Sequence, residues 1–189
     1  MLDIIDSHTL ALIFHLIGIA IGAGGAYMSD FMFFSAMKDL KISHTEMRFL
    51  HLGGKVVWLG IVILVISGLT LFMMNPEQYL NSAKFLSKMT VVGIIIANGM
   101  FFHLMHIPRI RRHVGEHLPS SDEFTRKITP LFISGAVSVI SWTAAIVLGA
   151  WRGIPYTYVE IIAMYVLSVL AAAIIAYLVH RGLVAKERH

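Results

Sequence analysis

His51 and His103 are the residues from which chemistry can first be argued. They stand at the same end of two consecutive apolar runs, HLGGKVVWLGIVILVISGLTLF and KFLSKMTVVGIIIANGMFFHLMH. If the runs are antiparallel membrane helices joined by the short polar break between them, both histidines reach the same depth. Histidine is costly in hydrocarbon and, where present, tends to face a bundle interior or a cofactor. Imidazoles from facing helices are the axial ligands of a b-type haem, whose potential is set by hydrogen bonding and burial. His51 and His103 are the preferred axial pair. His106, one turn beyond His103, is the reserve. His15 is a possible further ligand or catalytic group, although it lies nearer the opposite end. Lys55, one turn from His51, either snorkels to the surface or neutralises an anion such as a haem propionate or a quinone oxygen.

These side chains need rods to carry them, and the composition says which kind. The 189 residues are 57% hydrophobic, with mean hydropathy +0.77 and only 14% charged residues. Soluble domains carry about 25% charged residues. The chain therefore reads as a single integral membrane domain, residues 1–189, with no sizeable soluble part. It contains no cysteine, so disulfides, covalent haem attachment and thiolate metal sites are excluded. The pI near 9.5 does not imply nucleic-acid binding, because the basic residues flank apolar spans, where topology accounts for them.

A spanning helix needs about 20 mostly apolar residues. Five stretches qualify: 8–37, 47–74, 85–107, 128–150 and 156–180. None alternates as a barrel strand would. The expected fold is an all-α polytopic bundle of five transmembrane helices, with Pro76, Pro108, Pro130 and Pro155 at helix boundaries. Eleven of the fifteen Lys and Arg residues fall in three segments that share one side: Lys38 to Arg48, Arg109 to Lys127, and Arg181 to Arg188. The positive-inside rule puts that side in the cytoplasm and the N-terminus outside. The first span lacks a basic leader and a small-residue cleavage site, so it reads as retained. The expected location is a bacterial inner membrane, crossed several times.

Within the first span His8, His15, Gly18, Gly22, Gly25 and Ser29 share one helical face. Such a stripe either packs closely on a neighbour, as G-x-x-x-G seams do, or leaves room for a flat cofactor. His180 joins His51, His103 and His106 at the cytoplasmic end, while His113, His117 and His189 read as loop or tail residues. Trp151, Tyr156 and Tyr158 read as interfacial anchors.

Three functions are consistent with this pattern. The first is a b-type haem protein carrying electrons or reacting with a membrane-soluble partner such as quinol, or with a redox partner protein. The second is copper handling, for which thioether and imidazole are suitable ligands; the chain has 11 Met and 10 His residues. Met28, Met32, Met73, Met74, Met100 and Met105 would be the thioether donors. The third is a non-catalytic membrane subunit, its histidines bonding between helices. Whether the chain is an enzyme and how many copies assemble are left open by the residues.

A likeness to known proteins rests on three short stretches. The opening FHLIGIAIGAGGAYMSDFMFF resembles the first span of two related groups of bacterial membrane proteins, the copper-resistance D type and the haem-binding J-type protoporphyrinogen oxidases. His15 matches their early histidine and Gly24–Gly25 their small-residue step, while Gly22 stands near where a Trp is usual. ISGLTLF is similar to the end of their next helix, and KFLSKMTVVGIIIANGMFFH to their Lys-to-His helix, through Lys88 and His103. The likeness spans roughly the first 110 residues. It implies a small helical membrane module with histidine ligands of the kind that hold haem.

Overall fold

The computed structural model describes residues 6–36, 42–115 and 122–186; the side chains of residues 122–128, 180 and 182–186 lie outside that description. The described residues are predominantly helical, and there is no strand among them. The elements are α1 (Ser7–Ala36), α2 (His44–Met74), the short α3 (Pro76–Leu80), α4 (Ala83–Phe101), a π-helical turn (Phe102–His106), α5 (Ile107–Arg112), α6 (Asp122–Ala150) and α7 (Tyr158–Lys186). Five rods are long and apolar enough to cross a membrane: Ser7–Ser35, His44–Met74, Ala83–Arg112, Thr129–Ala150 and Tyr158–Val179. Large apolar side chains such as Phe31, Met73 and Val159 are more than two-thirds exposed. Hydrocarbon, not water, is the solvent that accommodates such a surface.

Local signals set the helix ends. Ser43 and Glu46 form a reciprocal capping box at the start of α2, with Ser43 N–H donating to Glu46 Oε2 at 2.8 Å and Glu46 N–H to Ser43 Oγ at 3.2 Å. Thr157 and Glu160 do the same at α7. Asp6 caps α1 by accepting from Thr9 N–H at 2.5 Å. At the other end of α6, Lys84 donates to the Trp151 carbonyl at 2.6 Å, covering the helix's last carbonyls.

Pro130 stands at the start of the fourth span, Thr129–Ala150, as expected, although α6 itself begins earlier, at Asp122. One proline departs from the boundary expectation. Pro108 does not end the third rod, which continues to Arg112. The π turn just before it explains how. Ile107 N–H reaches back to the Phe102 carbonyl, widening the helix where the proline ring would otherwise meet the carbonyl four residues earlier.

α1 and α2 form the most closely packed pair. A Cβ on Gly60 would run into the backbone of Gly22, one on Gly18 would press on Ile63 and Leu64, and one on Gly25 on Val56 and Val57. A Cβ on Gly22 would also strike the Trp142 ring of α6. The glycine face of span one is thus filled by α2 and Trp142, and it holds no room for a flat cofactor. α6 is the central helix: half of its most apolar window is buried, against 17–28% in the other spans, and it packs on α1, α4 and α7. Consecutive elements usually pack side by side. Here α2 leans mainly on α1 and α4 on α6, while α2 meets α4 through side chains such as Phe72 against Phe85 and Trp58 beside Gly99. His51 and His103 line one cleft at the end where Met47 and Leu50 also join Ile107 and Ile110 in the core.

Candidate functional site

His51 projects from the second turn of α2, and His103 from the π turn that follows α4. Their ring centres lie 6.3 Å apart, with the two planes inclined by 28°. Two imidazoles on opposite sides of one metal ion, with metal–nitrogen bonds of about 2.0–2.1 Å, place their ring centres roughly 6 Å apart. Neither ring hydrogen-bonds another described residue, so both retain a lone pair for a ligand.

Both histidines line a cleft of about 810 Å³ that also includes Arg48, Lys55, Met47, Ile107, Pro108 and Arg111. That volume falls within the roughly 300–1,000 Å³ of ligand and cofactor sites. Three cations, Arg48, Lys55 and Arg111, gather around it. Lys55 is exposed into this space and pairs with no carboxylate among the described residues. An anion at the cleft would meet all three charges, and planar guanidinium forks bind carboxylates in pairs of hydrogen bonds. The residues present therefore fit an iron porphyrin: an opposed imidazole pair, a space open at one edge and cations for two propionates.

A second, smaller cavity of about 80 Å³ leads inward from the same two histidines. Trp58 and Trp142 wall it, and Asp30, Asn98, Ser134 and Ser138 supply its polar atoms. Asn98 and Ser134 bond reciprocally: Asn98 Nδ2 donates to the Ser134 carbonyl at 3.0 Å, and Ser134 Oγ donates to Asn98 Oδ1 at 2.8 Å. That pair ties α4 to α6 along the cavity.

The other two histidines singled out from the sequence are elsewhere. His106 is 1% exposed and packs edge-on against Phe101 and Phe102, with ring centres 5.0 and 5.5 Å away. It lines neither cavity, so it does not serve as a reserve for His103. The π turn is the cause. With roughly 4.4 residues per turn instead of about 3.6, three residues rotate by roughly 245° and not 300°, so the two side chains diverge. His15 lies toward the opposite end, between α1, α2 and α4. Ser67 donates its hydroxyl proton to the Ile63 carbonyl at 2.6 Å. Ser67 Oγ therefore accepts from His15 Nδ1–H at 3.1 Å, and His15 Nε2 accepts from Lys88 Nζ at 3.0 Å. The one lone pair of neutral His15 is used, and no ligand position remains in this arrangement. Two of the residues that carry the family likeness, His15 and Lys88, are thus in direct contact. The side chain of His180 lies outside the described residues, as do His117 and His189.

Several site residues escaped the sequence reading. Asp30 is the one acidic residue of the five spans that is not in a first helical turn, and an intramembrane carboxylate is itself a functional signal. Arg48 and Arg111 looked like topology charges. Lys88 could not be joined to His15, 73 positions away, without the fold. Among the described residues no group of three or more His, Asp or Glu side chains is arranged to hold a metal ion by itself. Comparison of the chain with protein-family models, with curated proteins and with solved structures gives no match, and the residues of the cleft are what any reading of function must rest on.

Proposed function

We propose that this is a membrane-embedded b-type haem protein, with His51 and His103 as axial ligands. The observation that carries the reading is the imidazole pair, 6.3 Å between ring centres, lining one cleft together with Arg48, Lys55 and Arg111. Arg48, Lys55 and Arg111 would hold the propionates. When bound, the haem supplies one-electron chemistry at a potential set by its surroundings. This chain's residues would hold it and neutralise its acids, and a quinol-class partner in the bilayer or a redox protein would approach it at the cleft. The role proposed is electron transfer, or redox chemistry with such a partner. The proposal keeps the positive-inside orientation, with the N-terminus outside and the cleft at the cytoplasmic face of a bacterial inner membrane. The family likeness points the same way through its haem-binding member.

Copper handling draws less support. None of the six methionines that would supply thioethers lines either cavity; Met47 alone does, and it is 8% exposed in the core.

The test is an absorption spectrum of protein purified after haem-replete expression, oxidised and dithionite-reduced. Soret and α bands are expected in the wild type. His51→Ala and His103→Ala should each lose the sharp reduced α band, and His106→Ala should keep it. A wild type without these bands removes the haem reading. Wild-type spectra from both alanine variants remove the ligand assignment.

A further inference from the structure

The inner cavity continues past the two histidines to Asp30 on α1. One oxygen of this carboxyl is hydrogen-bonded by Ser138 of α6. The other, Oδ2, is buried and has no hydrogen-bond partner among the described residues. A buried acceptor left unpaired forfeits the full desolvation cost of that atom, so it persists where it has a use or a solvent molecule to meet. The cavity is about 80 Å³, several times the roughly 10–15 Å³ that one water occupies. Water can therefore bridge Asp30 to the imidazoles.

The charged and titratable groups around this space are few. α2 contributes His51 and α4 with its π turn contributes His103, while α6 presents only neutral Ser134, Ser138 and Trp142. Asn98 is committed to Ser134. No described cation faces Asp30 in this cavity. The place where positive charge can appear opposite it is between the two histidines.

We propose that Asp30 is a proton-exchange site opening on the cleft, and that its protonation is coupled to the charge held between His51 and His103. The coupling rests on the haem reading above; the exchange does not. With a haem held there, reduction by an external one-electron donor would favour an O–H bond on Asp30, its proton taken up from the bath through water in the cleft. The carboxyl would gain one proton for one electron and return it to the bath on reoxidation.

The experiment has two arms. In haem-loaded protein, the midpoint potential is titrated with dithionite at several pH values. The wild type should fall with rising pH by up to about 59 mV per unit, the value for one proton per electron. Asp30→Asn, which keeps the side chain's shape and its bond to Ser138, should flatten that slope, and Asp30→Glu should retain it. Equal slopes in wild type and Asp30→Asn overturn the coupling. In haem-free protein, the infrared carbonyl band of a protonated carboxyl should change reversibly with bath pH, and that change should be missing from Asp30→Asn. A wild-type spectrum without any pH-responsive component that Asp30→Asn removes overturns the exchange site. A chain that binds no haem sinks the proposed function alone, and the infrared arm still decides Asp30.

Discussion

A neutral imidazole offers one donor and one acceptor, and whatever already occupies the acceptor decides what the ring can do. His15 on one side and His51 with His103 on the other sort on that basis. His15 spends its lone pair on Lys88 and its N–H on Ser67, which makes it a clamp between three helices. Replacing it by alanine leaves the half-buried Lys88 ammonium without its acceptor, so His15→Ala should destabilise the protein by about 1–3 kcal/mol. Adding Lys88→Leu should restore part of the loss. Unfolding of both variants and the double variant in detergent gives the coupling, and strictly additive effects would remove the clamp. Lys55 sits at the other extreme, exposed at the cleft. Exposed ion pairs contribute about 0.2–1 kcal/mol, so Lys55→Gln should weaken haem binding by about fivefold or less, far short of losing either axial histidine. Haem titration of the apoprotein measures both.

Asp6 gives the one residue-scale pH effect that lies outside the spans. Its hydrogen bonds from Thr9, backbone first and side chain second, hold its carboxyl below the ordinary value of 3.8. Its cap is therefore intact above that value and is lost as the pH falls through the lower folded one. Asp6→Asn should keep the first turn of α1 ordered in acid, where the wild type frays; hydrogen exchange at residues 7–10 reports it.

At the scale of elements, the α1–α2 hairpin depends on backbone meeting backbone at Gly22 and Gly60. A methyl group there has no flexible neighbour to displace, and overpacking of this kind costs about 1–3 kcal/mol. Gly60→Ala should lower the thermal midpoint, whereas Gly24→Ala, with nothing within 4 Å of the new Cβ, should be neutral or gain up to about 1 kcal/mol from helix propensity. Equal effects at the two positions would show that the seam is not close-packed in the membrane. The π turn is the second element-scale device. It lets the third rod pass Pro108 and at the same time points His103 at the cleft while turning His106 into the core. A π bulge inside a long helix often marks a functional position, and here the ligand candidate is inside it.

For the whole molecule, α6 is the helix against which α1, α4 and α7 pack, and α2 is held mainly by α1. The cleft lies between the first turns of α2 and the residues from His103 to Arg111. Orientation is tested at this scale. Because the chain lacks cysteine, a single introduced thiol is unique. Asn81→Cys and Arg152→Cys should react with a membrane-impermeant maleimide added to intact cells, and His113→Cys only after the cells are opened. The reverse pattern would invert the topology and move the cleft to the outer face.

How much of this could be read from the residues differs from feature to feature. Five spans were legible because each run of apolar residues matches a bilayer thickness by itself, needing no knowledge of its neighbours. The pairing of His51 with His103 was legible for a related reason: a short connection forces antiparallel rods, and equal distances from the loop mean equal depth. Other features depend on rotation about helix axes and on contacts between distant positions. A π turn changes rotation without changing composition, so the separation of His103 from His106 was not legible. His15 and Lys88 meet only because α1 and α4 both touch α2. Asp30 reaches the histidine cavity only because α1 crosses behind α2 and against α6. Hydropathy, a sum over local residues, decided what lies in the membrane; the angular setting of each helix against the others, a property of no single segment, decided which side chains share a space.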